Sequence, residues 1–155
     1  MKFSHLVQIN DPLNPLIDAL TADQVWRGLV LRVENPMLFV YGLDGFELLG
    51  RDGDTLRREL RFGRATVRDT VTFTPPTAIR HEVEAAGEIP AAALAVTIET
   101  PAAEHLLVRF DYETRAVNGA PPVEPFYQGF VKKAYVEADL DAIREIRQLA
   151  AEGRL

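Results

Sequence analysis

The stretch from residue 55 to residue 73 alternates apolar and polar side chains on both sides of Gly63-Arg64, and this constrains the fold more than any other feature. A two-residue connection that begins with glycine suits a type II′ hairpin turn, because glycine takes the required positive φ without steric cost. Closing the hairpin there sets its register. Phe62 faces Ala65, Leu60 faces Val67, Arg58 faces Asp69 and Leu56 faces Val71 on one side, while Arg61 faces Thr66, Glu59 faces Arg68 and Arg57 faces Thr70 on the other. The second set is wholly polar. The first is apolar except for Arg58 and Asp69, which are opposite in charge and directly opposed. The hairpin therefore predicts an inward Arg58–Asp69 contact and an outward Glu59–Arg68 pair.

The chain before the hairpin opens with a strand alternating Phe3, His5, Val7 and Ile9 with Ser4, Leu6, Gln8 and Asn10. Thr21 and Gln24 form a capping box, with Leu20 and Val25 as its hydrophobic staple. The helix they start places Val25, Trp26, Leu29, Val30 and Val33 on one face, and Pro36 ends it by disfavouring the α region at Asn35. From Gly45 the period becomes two. Strands follow around Phe46 and Leu48, on each side of Gly63, around Ile79, His81 and Val83, around Leu94, Val96 and Ile98, and from Leu106 to Tyr112, with Pro75-Pro76 closing the hairpin's second strand. Gly87 to Ala92 reads as a loop, and Asn118-Gly-Ala-Pro-Pro122 breaks the alternation.

Residues 123–152 read as one long helix, with Glu124 and Pro125 suited to its first turn. Its expected inward stripe is Tyr127, Val131, Ala134, Ala138, Ala142, Ile146 and Leu149, flanked by Phe126 and Phe130. Alanines in the middle of such a stripe either allow close packing on the sheet or leave room above it, and the arginine, aspartate and histidine on the facing strands favour room. Antiparallel strands joined by short loops form one continuous sheet whose apolar face must be covered, and only this helix is large enough to cover it. The expected fold is α+β: a helix-grip domain spanning 1–155, with a curved seven-stranded antiparallel sheet around the C-terminal helix and short helices after the first strand.

Composition narrows the function. A hydrophobic fraction of 47% and a charged fraction of 26% are those of a folded domain of ordinary globular kind. A net charge of -6 weighs against nucleic acid and anionic membrane surfaces as partners. The opening Met1-Lys-Phe-Ser-His5 goes straight into alternation, no run is apolar enough to span a bilayer, and cysteine is absent, so a cytoplasmic location is expected. The three histidines lie far apart without the spacing of zinc motifs, so no metal is expected, and no cofactor motif such as a G-x-G-x-x-G turn in strand–helix context occurs.

Three stretches carry a resemblance: Thr21-Ala-Asp-Gln-Val-Trp-Arg-Gly-Leu-Val30, Glu34-Asn-Pro-Met-Leu-Phe39 and Arg58-Glu-Leu-Arg-Phe-Gly63. They resemble the AtaL-like branch of the START and birch-pollen-allergen (SRPBCC) superfamily, across nearly the whole chain. The resemblance implies a hydrophobic ligand cavity between sheet and helix, and some branches are polyketide cyclases or aromatases. It carries over no catalytic residue.

The candidate catalytic residues are accordingly read from the hairpin: Arg58, Asp69 and His81, which has the same facing on the next strand. An adjacent carboxylate should favour imidazolium and raise the His81 pKa, suiting a general acid or a ligand anchor. Against this stands the reading that the three satisfy one another and touch no ligand. Trp26, Tyr112, Tyr127 and Phe130 join the ligand-binding candidates, the first three for pairing apolar area with a polar tip. His5 reads as a satisfied core histidine. The leading expectation is binding of a small hydrophobic or aromatic molecule, with a cyclase-like enzyme and a protein-interaction module with a vestigial cavity as alternatives.

Overall fold

The computed structural model describes residues 1–87, 89–115 and 125–155 of the 155-residue chain. Strand β1 (Lys2–Asn10) leads to helix α1 (Ala22–Glu34), a short 3-10 turn (Pro36–Leu38), strands β2 (Gly45–Asp52), β3 (Thr55–Phe62), β4 (Ala65–Thr74), β5 (Ala78–Val83), β6 (Ala92–Glu99) and β7 (Leu106–Thr114), and helix α2 (Pro125–Ala151). The seven strands form one antiparallel curved sheet in the order β1-β7-β6-β5-β4-β3-β2, so β2 to β7 is a meander and β1 closes beside β7. The expected break at Asn118–Pro122 and the expected helix start at Val123 lie outside the described residues, as does Glu88 in the loop before β6.

Local chemistry accounts for the elements. Thr21 Oγ1 accepts from the Gln24 amide at 3.0 Å and Gln24 Oε1 accepts from the Thr21 amide at 2.9 Å, completing the capping box of α1. The stapling residues Leu20 and Val25 are buried. Gly63 has a φ of 57° while Arg64 has none in the left-handed region, as a type II′ turn requires. The Asp44 carboxylate accepts from the Gly63 amide and ties the turn to the segment before β2. All the expected β3–β4 pairs form, from Phe62 opposite Ala65 to Leu56 opposite Val71. Outside, the Arg68 guanidinium donates to Glu59 at 3.1 Å.

The concave face divides into cross-sheet rows. The innermost runs Phe73, Ile79, Val96, Phe110, His5, and its four apolar members are buried. The next runs Leu56, Val71, His81, Leu94, Tyr112, Phe3, and the third runs Arg58, Asp69, Val83, Ala92, Thr114. Burial falls in the same direction along the inward residues of β1 and of β3 to β7, while in the edge strand β2 Leu48 is exposed and Phe46 half-buried. Val71 and Val96 are buried while Val67, Val83, Leu94 and Tyr112, further toward the Gly63 end, are half-buried. The closed end of the face is packed by α1 and the C-terminal half of α2.

Helix α2 sits in a different rotation from the expected one. Ala142, Ile146 and Leu149 are buried as expected, but Ala134, Ala138 and Tyr127 are exposed and Asp139 is fully buried. The inward residues are Tyr135, Asp139, Ala142, Ile146 and Leu149, one position off the alanine stripe in its first half. The reason is polar. Tyr135 stacks on Tyr112 at 4.4 Å between centroids, and Asp139 finds three donors below it, so an aromatic and an anion outcompete two alanines for the interior. The helix crosses α1 at Gly28, where a Cβ would meet Ile146 at 2.6 Å.

Candidate functional site

Arg58 and Asp69 point inward and form a buried bidentate pair, each with 4% of its surface exposed. Nε and Nη2 of Arg58 donate to the two Asp69 oxygens at 3.0 and 2.6 Å, and Nη1 donates to the Val33 carbonyl at 2.8 Å near the end of α1. Every guanidinium nitrogen thus has an acceptor, which is what a buried arginine requires. Burial pulls the Asp69 carboxyl upward, but the neighbouring His81 and the hydrogen bonds and charge of Arg58 more than offset it, holding it below its ordinary value.

His81 stands one diagonal step from Asp69, since Asp69 pairs with Val83 and His81 with Val71. Its Nδ1 lies 3.6 Å from Asp69 Oδ2, and its side chain is 16% exposed. The expected direction of its pKa is corrected here: burial lowers it, the Arg58 and Arg32 charges lower it further, and Asp69 only partly compensates. His81 is therefore a neutral imidazole at neutral pH. The nitrogen that faces a carboxylate carries the proton, because a carboxylate only accepts, and Nε2 keeps its lone pair. In that state the ring offers the Nε2 lone pair as an acceptor.

A second polar group, absent from the sequence reading, centres on Asp139 of α2. Its Oδ2 accepts from His5 Nε2 at 2.7 Å and from the Tyr112 hydroxyl at 2.6 Å, and its Oδ1 accepts from Arg32 Nη2 at 3.1 Å. The three donors come from β1, β7 and α1, so one carboxylate fastens α2 to three elements. Burial, the Asp139 charge and this hydrogen bond push the Tyr112 phenol well above its ordinary value, so it stays protonated and keeps donating. A usable signal did exist in the sequence: Asp139 lies in helical phase with Ala142, Ile143 and Ile146, and the inward-facing His5 lacked an anionic partner. The two polar groups meet at the end of α1, where Arg32 serves the second and the carbonyl of Val33 serves the first.

Of the residues singled out beforehand, Arg58, Asp69 and His81 are together, and Tyr112 lies in the same cross-sheet row as His81 with Leu94 between them. His5 is held by Asp139, as a satisfied histidine should be. Trp26 is elsewhere, edge-on to Phe73 at 6.4 Å on the closed end of the core. Tyr127 and Phe130, at 66% and 60% exposure, face outward on the first turns of α2, because the rotation that buries Tyr135 and Asp139 turns them away from the sheet.

Known structures with this architecture cover nearly the whole chain. StfQ, a di-domain aromatase/cyclase from the steffimycin biosynthetic pathway, superposes with a TM-score of 0.73 at 10% identity over 97% of this chain, which spans 51% of StfQ. The Zhui aromatase/cyclase from a Streptomyces species gives a TM-score of 0.64 at 20% identity, covering 97% of this chain and 95% of that one. A START superfamily protein from Mycobacterium smegmatis gives 0.63 at 13% identity, covering 96% and 98%. At such identities the likeness is one of fold. No curated protein matches the chain in sequence. The sequence profile of the AtaL family, described as acetylaranotin biosynthesis cluster protein L, matches residues 7–153, and the chain therefore belongs to the AtaL family.

Proposed function

We propose that the protein binds a small hydrophobic or aromatic molecule on the half-open part of the concave face, over Leu94, Val83 and Ala92, with its polar end met by His81 and Tyr112. The observation that carries this is the fall in burial along one continuous face: apolar residues that would be core at the closed end are left half-buried next to two polar groups. Small-molecule sites are lined mainly by apolar side chains with a few placed polar groups, and this stretch of the concave face has that composition. The fold of StfQ and Zhui, and membership of the AtaL family, agree with this reading.

Amide chemical shifts during titration with naphthol test it. Shifts centred on Val83, Leu94 and Tyr112 are expected. An unperturbed concave face would refute ligand binding there, and shifts confined to residues 126–130, where Phe126, Tyr127 and Phe130 are exposed, would support an interaction module instead.

A cyclase-like enzyme is the second reading, and the neutral His81 beside Asp69 favours it. A carboxylate beside the imidazole leaves Nε2 unprotonated at neutral pH and available to take a proton from carbon next to a ketone or from a hydroxyl. Turnover separates the two readings: incubation with a poly-β-ketone mimic followed by mass spectrometry should reveal loss of water on this second reading, and His81→Ala should abolish it.

A further inference from the structure

The polar groups beside the half-open face have an unusual balance of donors and acceptors. The Arg58 charge is cancelled by Asp69, with every guanidinium nitrogen already bonded, and the Arg32 charge is cancelled by Asp139. The Tyr112 proton is committed to Asp139 at 2.6 Å, which leaves the phenol oxygen with lone pairs to offer. The imidazole of His81, with Nδ1 toward Asp69, likewise offers the lone pair of Nε2. His81 and Tyr112 belong to one row and are separated only by Leu94, so their backbones are two strand spacings, or roughly 10 Å, apart. The face therefore presents an aliphatic floor with an acceptor at each side and no uncancelled arginine.

Resting on the ligand-binding reading above, we infer that this surface selects an uncharged aromatic molecule bearing hydroxyl groups at two opposite ends, which donate to Nε2 of His81 and to the Tyr112 oxygen. A carboxylate in the same place would bring a buried anion against two acceptors. Among the described residues no unpaired cation stands beside those two acceptors to receive it, Lys132 lying beyond them at the Phe3 end of the row. An ether in the same place would set acceptor against acceptor and leave all four groups without a proton between them. Specificity arises from what is missing as much as from what is present, as in any site whose polar atoms are all of one kind.

Three probes that share one ring system test this on the intact chain: a dihydroxynaphthalene with its hydroxyls at opposite ends, its dimethyl ether, and the corresponding naphthalene dicarboxylate. Affinity is measured by calorimetry, and location by amide shifts of Val83 and Leu94. The diol should bind about tenfold more tightly than the ether, the loss expected for two neutral hydrogen bonds, and more tightly than the dicarboxylate. His81→Phe and Tyr112→Phe should each remove much of the preference for the diol while leaving the ether unchanged. Equal or tighter binding of the ether at the same amides would overturn the inference while leaving ligand binding intact. Tighter binding of the dicarboxylate would do the same, and Lys132, whose Nζ lies 5.9 Å from the Phe3 ring at the end of the row, would be its receptor. Failure of all three probes to move those amides would overturn the inference together with the reading beneath it.

Discussion

The Tyr112 hydroxyl donates to Asp139 over 2.6 Å, and this bond joins a strand to a helix carboxylate that has no exposed surface. The same carboxylate holds Arg32 and His5, so its removal orphans three donors at once. Asp139→Ala should cost about 3 to 5 kcal/mol, the range for removing one partner of a buried ion pair. Ala138→Ser, one residue earlier and exposed, should change stability by less than about 0.5 kcal/mol. Urea denaturation of the two variants checks both numbers, and a reversal of their order would mean that α2 is rotated otherwise.

The buried Arg58–Asp69 pair should show strong coupling. Arg58→Met or Asp69→Leu alone leaves an uncompensated buried charge and should cost about 3 to 5 kcal/mol, whereas the double substitution should come close to neutral. A double-mutant cycle in urea measures the difference directly. Additive losses in the double variant would show that the two ions are independently solvated.

Acid should destabilise the protein through His81 before it reaches the carboxylates. The folded pKa of His81 is depressed below its unfolded value of about 6.5, so the unfolded chain binds the proton first and stability present above that pH is lost as pH falls below it. The slope for one such group is about 1.4 kcal/mol per pH unit. Asp69, also depressed in the fold, adds a loss in the same direction that begins only below about pH 4. The free energy of unfolding measured from pH 7.5 downward, for the wild type and His81→Gln, should differ in slope between about pH 6.5 and pH 5. Identical profiles would place the His81 imidazole in water.

Gly28 is required by contact rather than by backbone conformation. A Cβ there would lie 2.6 Å from Cγ1 of Ile146, and the other branches of that side chain are 2.8 Å away. Gly28→Ala should therefore cost about 1 to 3 kcal/mol despite the better helix propensity of alanine, since overpacking outweighs a gain of about 1 kcal/mol. Adding Ile146→Val should recover part of the loss, and thermal unfolding of the single and double variants provides the comparison.

How far the molecule is legible in its sequence differs between sheet and helix. The hairpin register followed from Gly63 and strict alternation, because a strand has two faces and a slip of one residue inverts both. The inward Arg58–Asp69 pair and its outward neighbours Glu59 and Arg68 are consequences of that register alone. The seven strands and the capping box at Thr21 are local in the same sense. Each rests on side chains within a few residues of one another.

The helix and the site were settled by tertiary contact. A helix with residues of intermediate character can present several neighbouring faces, and the one chosen in α2 depended on donors 107 and 134 residues away, Arg32 and His5. Alanine alone could not announce that Tyr135 and Asp139 would take the interior. The sign of the His81 shift was undetermined for a related reason: the neighbouring carboxylate is visible in the strand pairing, but desolvation depends on everything packed above the sheet, and here desolvation outweighs the neighbour. Short-range periodicity decides which side chains share a face, while the dielectric and the partners around them belong to the assembled fold.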